Sequence, residues 1–194
     1  MTGRWSGAAR TSRRFAVPAL ALTAGLLFAA EAPLFNADGL RSTRYRAPTP
    51  ATVPHGTVLD TAGLVRLLAE ADPVLIDVQA VVVRPELAEF GLSWLPSRPR
   101  LHIPGSTWLP NVGYGTLAPR METYFRDNLA RLTGGDRDRP VVIYCVIDCW
   151  MSWNAVQRAA GYGYCRLYWY RDGTDGWAEQ GLPLVEAEPR PLKP

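Results

Sequence analysis

Two short apolar runs, residues 74–78 and 141–145, constrain the fold of this 194-residue chain more than any other feature of its sequence. Each run is long enough for one strand and too short for a helix, and segments with helical spacing lie beside both. Runs that are apolar at nearly every position are typical of parallel strands that helices cover on both faces. The alternation of strands and helices therefore predicts an open α/β sheet with mostly parallel strands.

Local signals mark where two of the helices begin and end. Asp60 or Thr61 is expected to cap a first helix, which Pro73 ends. Pro119 fits the first position of a second helix, and Gly134 stops it. These signals place one helix before each of the two apolar runs.

The remaining segments are assigned from their patterns. A third helix is predicted over residues 151–161, and further strands are predicted over residues 57–59 and 165–170. Residues 84–118 are rich in Pro, Gly and Trp. This stretch is too long for a simple connection, so it is expected to form a functional loop or an excursion over one face.

Residues 1–32 are predicted to be a signal peptide, because an arginine cluster precedes an uncharged run rich in Ala and Leu. The 21 basic and 18 acidic side chains of the chain fall to 17 of each once the four Arg and one Glu of this segment are set aside. Neither a nucleic-acid partner nor an anionic membrane surface is therefore predicted. We expect a periplasmic protein with no membrane contact after cleavage, and an uncleaved N-terminal anchor is the alternative.

The mature chain is expected to hold one domain. An extended leader is predicted over residues 33–56, which contain several prolines and no clear periodicity. The domain is assigned to residues 57–187 and a tail to residues 188–194. No internal repeat is visible.

Cys145 and Cys149 lie four positions apart, where the second apolar run meets the third helix. A cysteine at this junction has its sulfur near backbone N–H groups and the positive end of the helix dipole, which favours the reactive thiolate. Cys149 is open to two readings, a resolving thiol or one half of a fixed disulfide. Cys165 is expected to be structural, at the opposite edge of the sheet. Two thiols at one site, with His55 and His102 elsewhere, are too few for a structural zinc, so no metal site is predicted.

Several strings of this sequence resemble, in order, the rhodanese-like domain. They are Leu75-Ile-Asp77-Val78, His102-Ile-Pro-Gly105-Ser106, the strand-terminal Cys145, Ser152 with Ala155, Gly161-Tyr162 and Gly173…Trp177…Gly181-Leu-Pro183. A finer likeness is to the exported rhodanese-like proteins named PQQ-dependent catabolism-associated CXXCW motif proteins, where PQQ is pyrroloquinoline quinone. The strings that carry it are Tyr45-Arg-Ala-Pro-Thr-Pro50 and residues 103–113, 148–154 and 169–177.

The resemblance implies a rhodanese-like open sheet of about five mostly parallel strands, with Cys145 on the floor of a cradle-shaped loop. In such proteins this cysteine takes a sulfane sulfur, becomes a persulfide and passes the sulfur to a nucleophilic acceptor. We therefore expect Cys145 to be the nucleophile or persulfide carrier and Cys149 the resolving thiol, with a sulfur or thiol donor and acceptor as partners. Backbone amides of the active-site loop are expected to stabilise the anionic sulfur; the loop residues are Val146, Ile147, Asp148, Trp150, Met151 and Ser152.

The subfamily likeness implies an association with periplasmic PQQ-dependent alcohol catabolism and with a PQQ-dependent dehydrogenase system. That association is indirect, and no cofactor is expected in the chain itself. The loop departs from the rhodanese pattern, because residues 146–151 include no Arg or Lys and Asp148 adds a negative charge. Both features disfavour anionic thiosulfate as the substrate. Sulfurtransferase-like and thiol-redox activity both stay open. The alternatives are a dithiol–disulfide oxidoreductase, or a non-catalytic accessory or binding protein for a quinone-dependent dehydrogenase.

Residues outside the loop are predicted to support it. Asp77 ends the first apolar run and is expected to hold loop amides, as Asp does at helix N-caps. His102 is expected to anchor a loop, and Trp108 to support the site. A set of tryptophans could form an aromatic wall for a flat ligand such as a quinone, although the more usual place for Trp is a core or an interface. The set comprises Trp108, Trp150, Trp153, Trp169 and Trp177.

Overall fold

The computed structural model describes residues 1–3, 32–82, 94, 96 and 98–192. Most of the predicted signal peptide and residues 84–93 of the predicted loop lie outside the described residues. The chain divides into two compact units, Met1–Glu31 and Ala32–Pro194, and the helices and strands named below belong to the second. In the part of the chain that the structure describes, no helix combines the length and the apolar character needed to cross a membrane.

Strands in the described part of the chain form one parallel sheet and one small antiparallel pair. The strands are β1 (Thr57–Leu59), β2 (Val74–Asp77), β3 (Arg100–His102), β4 (Thr107–Trp108), β5 (Val141–Tyr144), β6 (Leu167–Tyr170) and β7 (Val185–Ala187). Five of them build the main sheet in the order β1-β6-β5-β2-β4, and every pairing in it is parallel. β3 and β7 pair with each other in the antiparallel sense. The predicted α/β fold with about five mostly parallel strands is confirmed.

The described helices flank this sheet, and their ends follow the sequence signals. They are α1 (Thr61–Glu70), α2 (Pro119–Thr133), α3 (Trp150–Gly161) and α4 (Gly173–Glu179). The Asp60 carboxylate caps α1 by accepting a hydrogen bond from the Gly63 amide at 2.7 Å. Pro119 opens α2, and Gly134 ends it in the left-handed region at φ 67°. α4 and β7 are additional to the elements that the sequence patterns predict.

The central strands divide the core into two layers. On β2, β5 and β6, Ile76, Ile143 and Trp169 pack on one face with residues of α2 and α3. Their neighbours along the strands, among them Leu75 and Val142, pack on the other face with residues of α1 and α4. All four positions of β2 and of β5 are buried, which confirms that these runs are strands covered on both faces.

The predicted loop of residues 84–118 is more ordered than expected in its described part. It contains β3 and β4, and β4 extends the main sheet by pairing with Ile76 and Asp77. These strands are three and two residues long, and their partners are distant in the chain. No local alternation could therefore reveal them.

The predicted leader and tail both pack against the sheet domain. Leu40 and Val53 of the leader are buried. The Asn154 side chain of α3 accepts a hydrogen bond from the Arg41 amide and donates one to the Arg41 carbonyl, both at 2.8 Å. In the tail the Arg190 amide donates to the Trp108 carbonyl at 2.9 Å. The leader is thereby fixed beside α3.

Candidate active site

The two thiols of the Cys-x-x-x-Cys segment meet at the carboxyl end of β5. Cys145 follows the last residue of β5, and Cys149 is the N-cap residue of α3. The intervening loop turns back with Asp148 in the left-handed region at φ 55°, a conformation that Asp tolerates better than most residues. The Sγ atoms of Cys145 and Cys149 are 2.6 Å apart, and both residues are buried free cysteines.

The start of α3 stabilises negative charge on Cys149. The hydrogen bond from the Cys145 thiol lowers the pKa of Cys149 to about 7, against the opposing effect of burial. Hydrogen bonds from the Met151 and Ser152 amides, and the charge of Arg46, contribute to the same lowering of the Cys149 pKa. Burial raises the pKa of Cys145 well above its ordinary value. The prediction that the helix start favours a thiolate at Cys145 is therefore wrong, because α3 begins directly after Cys149.

The amides of the predicted active-site loop have different partners. The Ile147 amide donates to the Asp175 carboxylate at 3.0 Å, and the Trp150 amide donates to the Tyr45 carbonyl at 2.9 Å. The Met151 and Ser152 amides donate to Cys149. Of the loop amides that are expected to stabilise an anionic sulfur, two donate to Cys149 and two donate to neighbouring segments.

The leader runs antiparallel to this loop and covers it. Arg46 and Cys149 form an isolated antiparallel bridge. The Ala47 amide donates to the Asp148 carbonyl, and the Thr49 amide donates to the Asp148 carboxylate, both at 3.2 Å. The Asp148 carboxylate therefore already accepts a hydrogen bond from the leader.

The start of α4 holds the other side of the loop. The Thr174 amide donates to the Cys145 carbonyl at 3.1 Å, and Val146 forms an isolated bridge with Gly173. A Cβ atom at Gly173 would lie 2.5 Å from the Cys145 carbonyl oxygen, and Gly173 has φ +58°. This close approach requires glycine. It explains in part why the Gly173…Trp177 string accompanies the cysteine motif.

Gln79, which the sequence patterns do not single out, contacts the first thiol. Its Oε1 lies 3.1 Å from the Cys145 Sγ. The predicted supporting residue Trp108 is almost completely buried, and its indole N–H donates to the Gln79 carbonyl at 2.8 Å. Trp108 therefore positions Gln79. The only sequence signal for Gln79 is its place just after β2, the neighbour of β5 in the sheet.

Asp77 connects the ends of β2 and β3 beneath the thiols. Its Oδ1 accepts a hydrogen bond from the Gln79 amide at 2.9 Å, as expected for a residue that holds loop amides. Its Oδ2 forms a buried ion pair with the Nε of Arg100 at 2.8 Å. Burial raises the pKa of Asp77, and the Arg100 guanidinium opposes that shift. Arg100 also donates to the Cys145 carbonyl at 3.3 Å, so this ion pair supports the thiol's backbone.

His102 lies at the end of β3 and is buried. Its backbone pairs with Val185 of β7. The Nδ1 atom has no hydrogen-bond partner among the described residues. Burial lowers the pKa of His102, with the positive charge of Arg100 acting in the same direction. The prediction that the His102 imidazole anchors a loop is therefore not supported by a hydrogen bond at Nδ1.

A cleft of about 670 Å³ opens beside the thiols, and arginines from two segments line it. Gln79 forms part of the lining, together with Arg46 of the leader and with Arg98 and Arg100 at the start of β3. Val146 also lines it. The expectation that the site lacks positive charge therefore holds for the cysteine loop and not for the site as a whole.

The tryptophans are core residues. Trp150 packs edge-on against Trp153 at 5.1 Å and against Phe35 at 5.5 Å, and the Arg41 guanidinium lies 4.7 Å from its ring. All five predicted wall residues are buried, and they are divided between the two core layers. Burial of these rings on the two faces of the sheet supports the core alternative and not an aromatic wall for a quinone.

Cys165 lies apart from the thiol pair. It precedes β6, at the amino-terminal edge of the parallel sheet, whereas Cys145 follows β5 at the opposite edge. The prediction that Cys165 lies at the opposite edge of the sheet from Cys145 is confirmed, and its side chain is exposed. In the described ranges no three His, Cys, Asp or Glu side chains converge in a way that could hold a metal ion.

Solved structures with related chain traces include three sulfur-transfer proteins. A thiosulfate sulfurtransferase from Pseudomonas aeruginosa is 20% identical with a TM-score of 0.46; the match covers 70% of this chain and 21% of that one. A homodimeric polysulfide-sulfur transferase from Wolinella succinogenes is 22% identical with a TM-score of 0.42, covering 68% and 79%. A human single-domain sulfurtransferase is 19% identical with a TM-score of 0.41, covering 64% and 97%. No curated protein is significantly similar to the chain in sequence.

The family assignment comes from a family model. The model of the rhodanese-like domain matches residues 61–180, from the start of α1 to just past α4. The matched stretch contains both thiols, Asp77, Gln79 and Arg100, and it exceeds half of the chain. The chain belongs to the rhodanese-like domain family.

Proposed function

We propose that this chain is an exported rhodanese-like protein that carries sulfane sulfur at Cys145, with Cys149 as the resolving thiol. The observation that carries the proposal is the 2.6 Å contact between the two Sγ atoms at the end of β5, where one sulfur keeps a proton and the other is stabilised as a thiolate. Membership of the rhodanese-like family is consistent with sulfurtransferase-like or thiol-redox activity.

The thiol pair can generate the nucleophile within the site. As the Cys145 sulfur attacks the outer sulfur of a donor, the Cys149 thiolate takes the Cys145 proton across 2.6 Å. A sulfur–sulfur bond forms at Cys145, and the donor's sulfur–sulfur bond breaks with its electron pair on the leaving group. In the absence of an acceptor, Cys149 gives up this proton, and its thiolate attacks the Cys145 Sγ. The bond between Sγ and the outer sulfur breaks, hydrosulfide leaves with the electron pair, and a disulfide remains.

Turnover with cysteine variants tests this assignment. The reaction is sulfur transfer from inorganic polysulfide to a thiol acceptor, in a Cys165→Ser background that removes the exposed thiol. We expect Cys145→Ser to abolish transfer and Cys149→Ser to slow it by at least about tenfold, since general-base catalysis typically contributes 10²–10⁴-fold. Full activity of Cys145→Ser would exclude Cys145 as the carrier.

A dithiol–disulfide oxidoreductase is the second candidate, and the pairing of a low-pKa thiol with a buried protonated thiol favours it. The reduction potential of the pair separates the two functions. A potential in the range of about −120 to −270 mV is typical of redox-active pairs, whereas one below about −300 mV marks a structural disulfide and excludes this candidate.

The association with periplasmic PQQ-dependent alcohol catabolism is a further part of the proposal. Its support is that the strings that carry the subfamily likeness lie around the thiols: the Tyr45 carbonyl accepts from the Trp150 amide, and the start of α4 contacts the loop. Deletion of the gene is expected to impair growth on alcohols that a PQQ-dependent dehydrogenase oxidises, and growth on succinate is the control. A Cys145→Ser chain that restores growth would favour the non-catalytic accessory role, whereas unaffected growth after deletion would contradict the association.

A further inference from the structure

The cleft beside Gln79 contains more positive than negative charge. Arg46, Arg98 and Arg100 line it, and Asp175 is the acidic side chain among its lining residues. The Asp175 carboxylate already accepts a hydrogen bond from the Ile147 amide at 3.0 Å. Of the three arginines, Arg100 is neutralised by Asp77.

Two arginines are therefore available for a ligand. Within the described ranges neither Arg46 nor Arg98 forms a salt bridge with a carboxylate. Arg98 is exposed, and Arg46 is near enough to Cys149 to lower the pKa of that thiol. They come from the leader and from the segment before β3, so two different segments of the chain contribute them to the cleft lining. Two guanidinium groups in one cleft match a ligand with more than one anionic group.

The size of the cleft points to an organic ligand. Its volume of about 670 Å³ lies within the range of about 300–1,000 Å³ that is typical of pockets for drug-sized molecules. A small inorganic anion would leave most of this space to water. The lining also includes apolar side chains that favour carbon-containing groups, namely Val81, Val82, Leu101, Ala178 and Leu184.

Gln79 separates the cleft from the sulfur. Its side chain contacts the Cys145 Sγ at 3.1 Å and also lines the cleft, whereas Cys145 is completely buried. A ligand in the cleft therefore has to pass the Gln79 side chain to reach Cys145. Gln79 is a positioning residue at this boundary.

We propose that the cleft binds an organic polyanionic thiol, held by Arg46 and Arg98, as the acceptor of the sulfur carried by Cys145. This inference rests on the proposed sulfur-carrier function. The acceptor thiolate attacks the outer sulfur of the Cys145 persulfide, and a bond forms between these two sulfurs. The bond between the outer sulfur and the Cys145 Sγ breaks with its electron pair on Sγ, which takes a proton, so the transfer needs no oxidant or reductant.

A matched pair of acceptors tests the charge requirement. The acidic acceptor is an N-acetylated Asp-Cys-Asp tripeptide. The neutral one is an N-acetylated, C-terminally amidated Asn-Cys-Asn tripeptide of nearly equal size, and the two are compared at equal thiolate concentration. The wild type is expected to show a KM about tenfold lower for the acidic peptide. Arg98→Gln and Arg46→Gln are each expected to remove most of this preference by raising the KM for the acidic peptide towards that for the neutral one. Arg66→Gln, an equal charge change at an exposed position of α1, is the control and is expected to retain the preference. Equal KM values for the two peptides in the wild type would overturn the inference.

Binding without chemistry separates this inference from the sulfur-carrier function. The probe is an N-acetylated Asp-Ser-Asp tripeptide, titrated by calorimetry into the Cys145→Ser chain and into wild-type chain treated with a reductant. If the probe binds and the Arg98→Gln substitution weakens that binding about tenfold, the cleft proposal is supported. If no sulfur is transferred in the same chain, only the proposed sulfur-carrier function fails. Sulfur loading without any binding of the probe overturns the cleft proposal and leaves the proposed function standing.

Discussion

At the residue scale, the Sγ atoms of Cys145 and Cys149 lie 2.6 Å apart, and their unlike surroundings raise the pKa of Cys145 and lower that of Cys149. Cys149 receives the Met151 and Ser152 amides of the helix start. Cys145 is completely buried beside the side-chain amide oxygen of Gln79, which favours the neutral thiol. The two cysteines are therefore expected to react as a unit, in which the negative charge lies on the Cys149 sulfur and this sulfur can accept the proton of Cys145.

Alkylation as a function of pH tests this division. In the Cys165→Ser background we expect Cys149 to react with iodoacetamide before Cys145, at a rate that rises with a midpoint near pH 7, because its lowered pKa of about 7 makes it a thiolate above that pH. In Cys149→Ser the remaining Cys145 is expected to react only at higher pH, since burial raises its pKa. Mass spectrometry of the alkylated chain measures both. Faster reaction of Cys145 at neutral pH would contradict the assignment.

The buried ion pair beneath the thiols is a second residue-scale feature. Asp77→Asn leaves the Arg100 guanidinium without its buried counter-charge, which is expected to lower the free energy of unfolding by about 3 kcal/mol. Asp72→Asn breaks the exposed pair with Arg139 and is expected to have little effect. Urea unfolding of the two variants is the measurement. Equal losses in the two would show that the Asp77 pair is not important for stability.

Sequence reasoning at this scale finds the thiols and misses their environment. Cys145, Cys149 and Asp77 can be found because they lie at or just after the end of an apolar run. Arg100 lies 45 positions before Cys145, and only the pairing of β3 with β7 and the packing of α4 bring it beneath the thiol. The predicted thiolate falls on the wrong cysteine because the sequence does not show which sulfur the first turn of α3 faces.

At the element scale, the first turn of α3 is held by close backbone contacts. A Cβ atom at Gly113 would lie 2.1 Å from the Met151 carbonyl oxygen. The Gly113 carbonyl also accepts a hydrogen bond from the Asn154 side chain at 2.8 Å. The segment after β4 therefore fixes the position of the helix start that stabilises Cys149.

Gly113→Ala tests this link between packing and chemistry. The added methyl group must displace the backbone of α3, which is expected to cost about 2–3 kcal/mol of stability and to raise the pKa of Cys149 as the Met151 amide moves away. Gly161→Ala, at the last residue of α3 and with no atom within 4 Å of the added Cβ, is the control. It is expected to be neutral or stabilising by up to about 1 kcal/mol. Urea denaturation measures the loss of stability, and pH-dependent alkylation measures the pKa of Cys149. If Gly113→Ala is destabilised but the pH midpoint of Cys149 alkylation does not change, the packing at Gly113 does not affect the Cys149 thiolate.

Helices and strands can be predicted from the sequence when the interactions that stabilise them are local in the chain. α1 and α2 can be predicted because Asp60, Pro119 and Gly134 act within a few residues of the helix ends. β2 and β5 can be predicted because burial on both faces makes nearly every position apolar. β3, β4 and β7 are stabilised by partners far away in the chain, and so they leave no local pattern.

At the scale of the whole molecule, the leader belongs to the folded unit. It contributes buried Leu40 and Val53, and its backbone is hydrogen-bonded to Asn154 and to the cysteine loop. The proline-rich composition predicts extended backbone, but composition alone cannot show that this backbone pairs with residues about a hundred positions later.

Truncation measures that contribution. A chain that begins at Thr57 is expected to lose at least about 3 kcal/mol of stability relative to one that begins at Pro33, because it loses two buried apolar side chains and several hydrogen bonds. Its Cys149 is also expected to be alkylated faster, since residues 45–49 no longer cover the loop. Urea unfolding and alkylation rates measure the two effects. Equal stability of the two chains would show that the leader is an appendage.

The most direct test of sulfur carriage at this site is intact mass spectrometry after incubation with inorganic polysulfide. We predict that the Cys149→Ser/Cys165→Ser double variant, which lacks the resolving thiol, gains the mass of one sulfur atom. The Cys145→Ser/Cys165→Ser double variant is expected to gain none. Full loading of the variant that lacks Cys145 would contradict the assignment, as would a Cys149→Ser/Cys165→Ser chain that gains no sulfur.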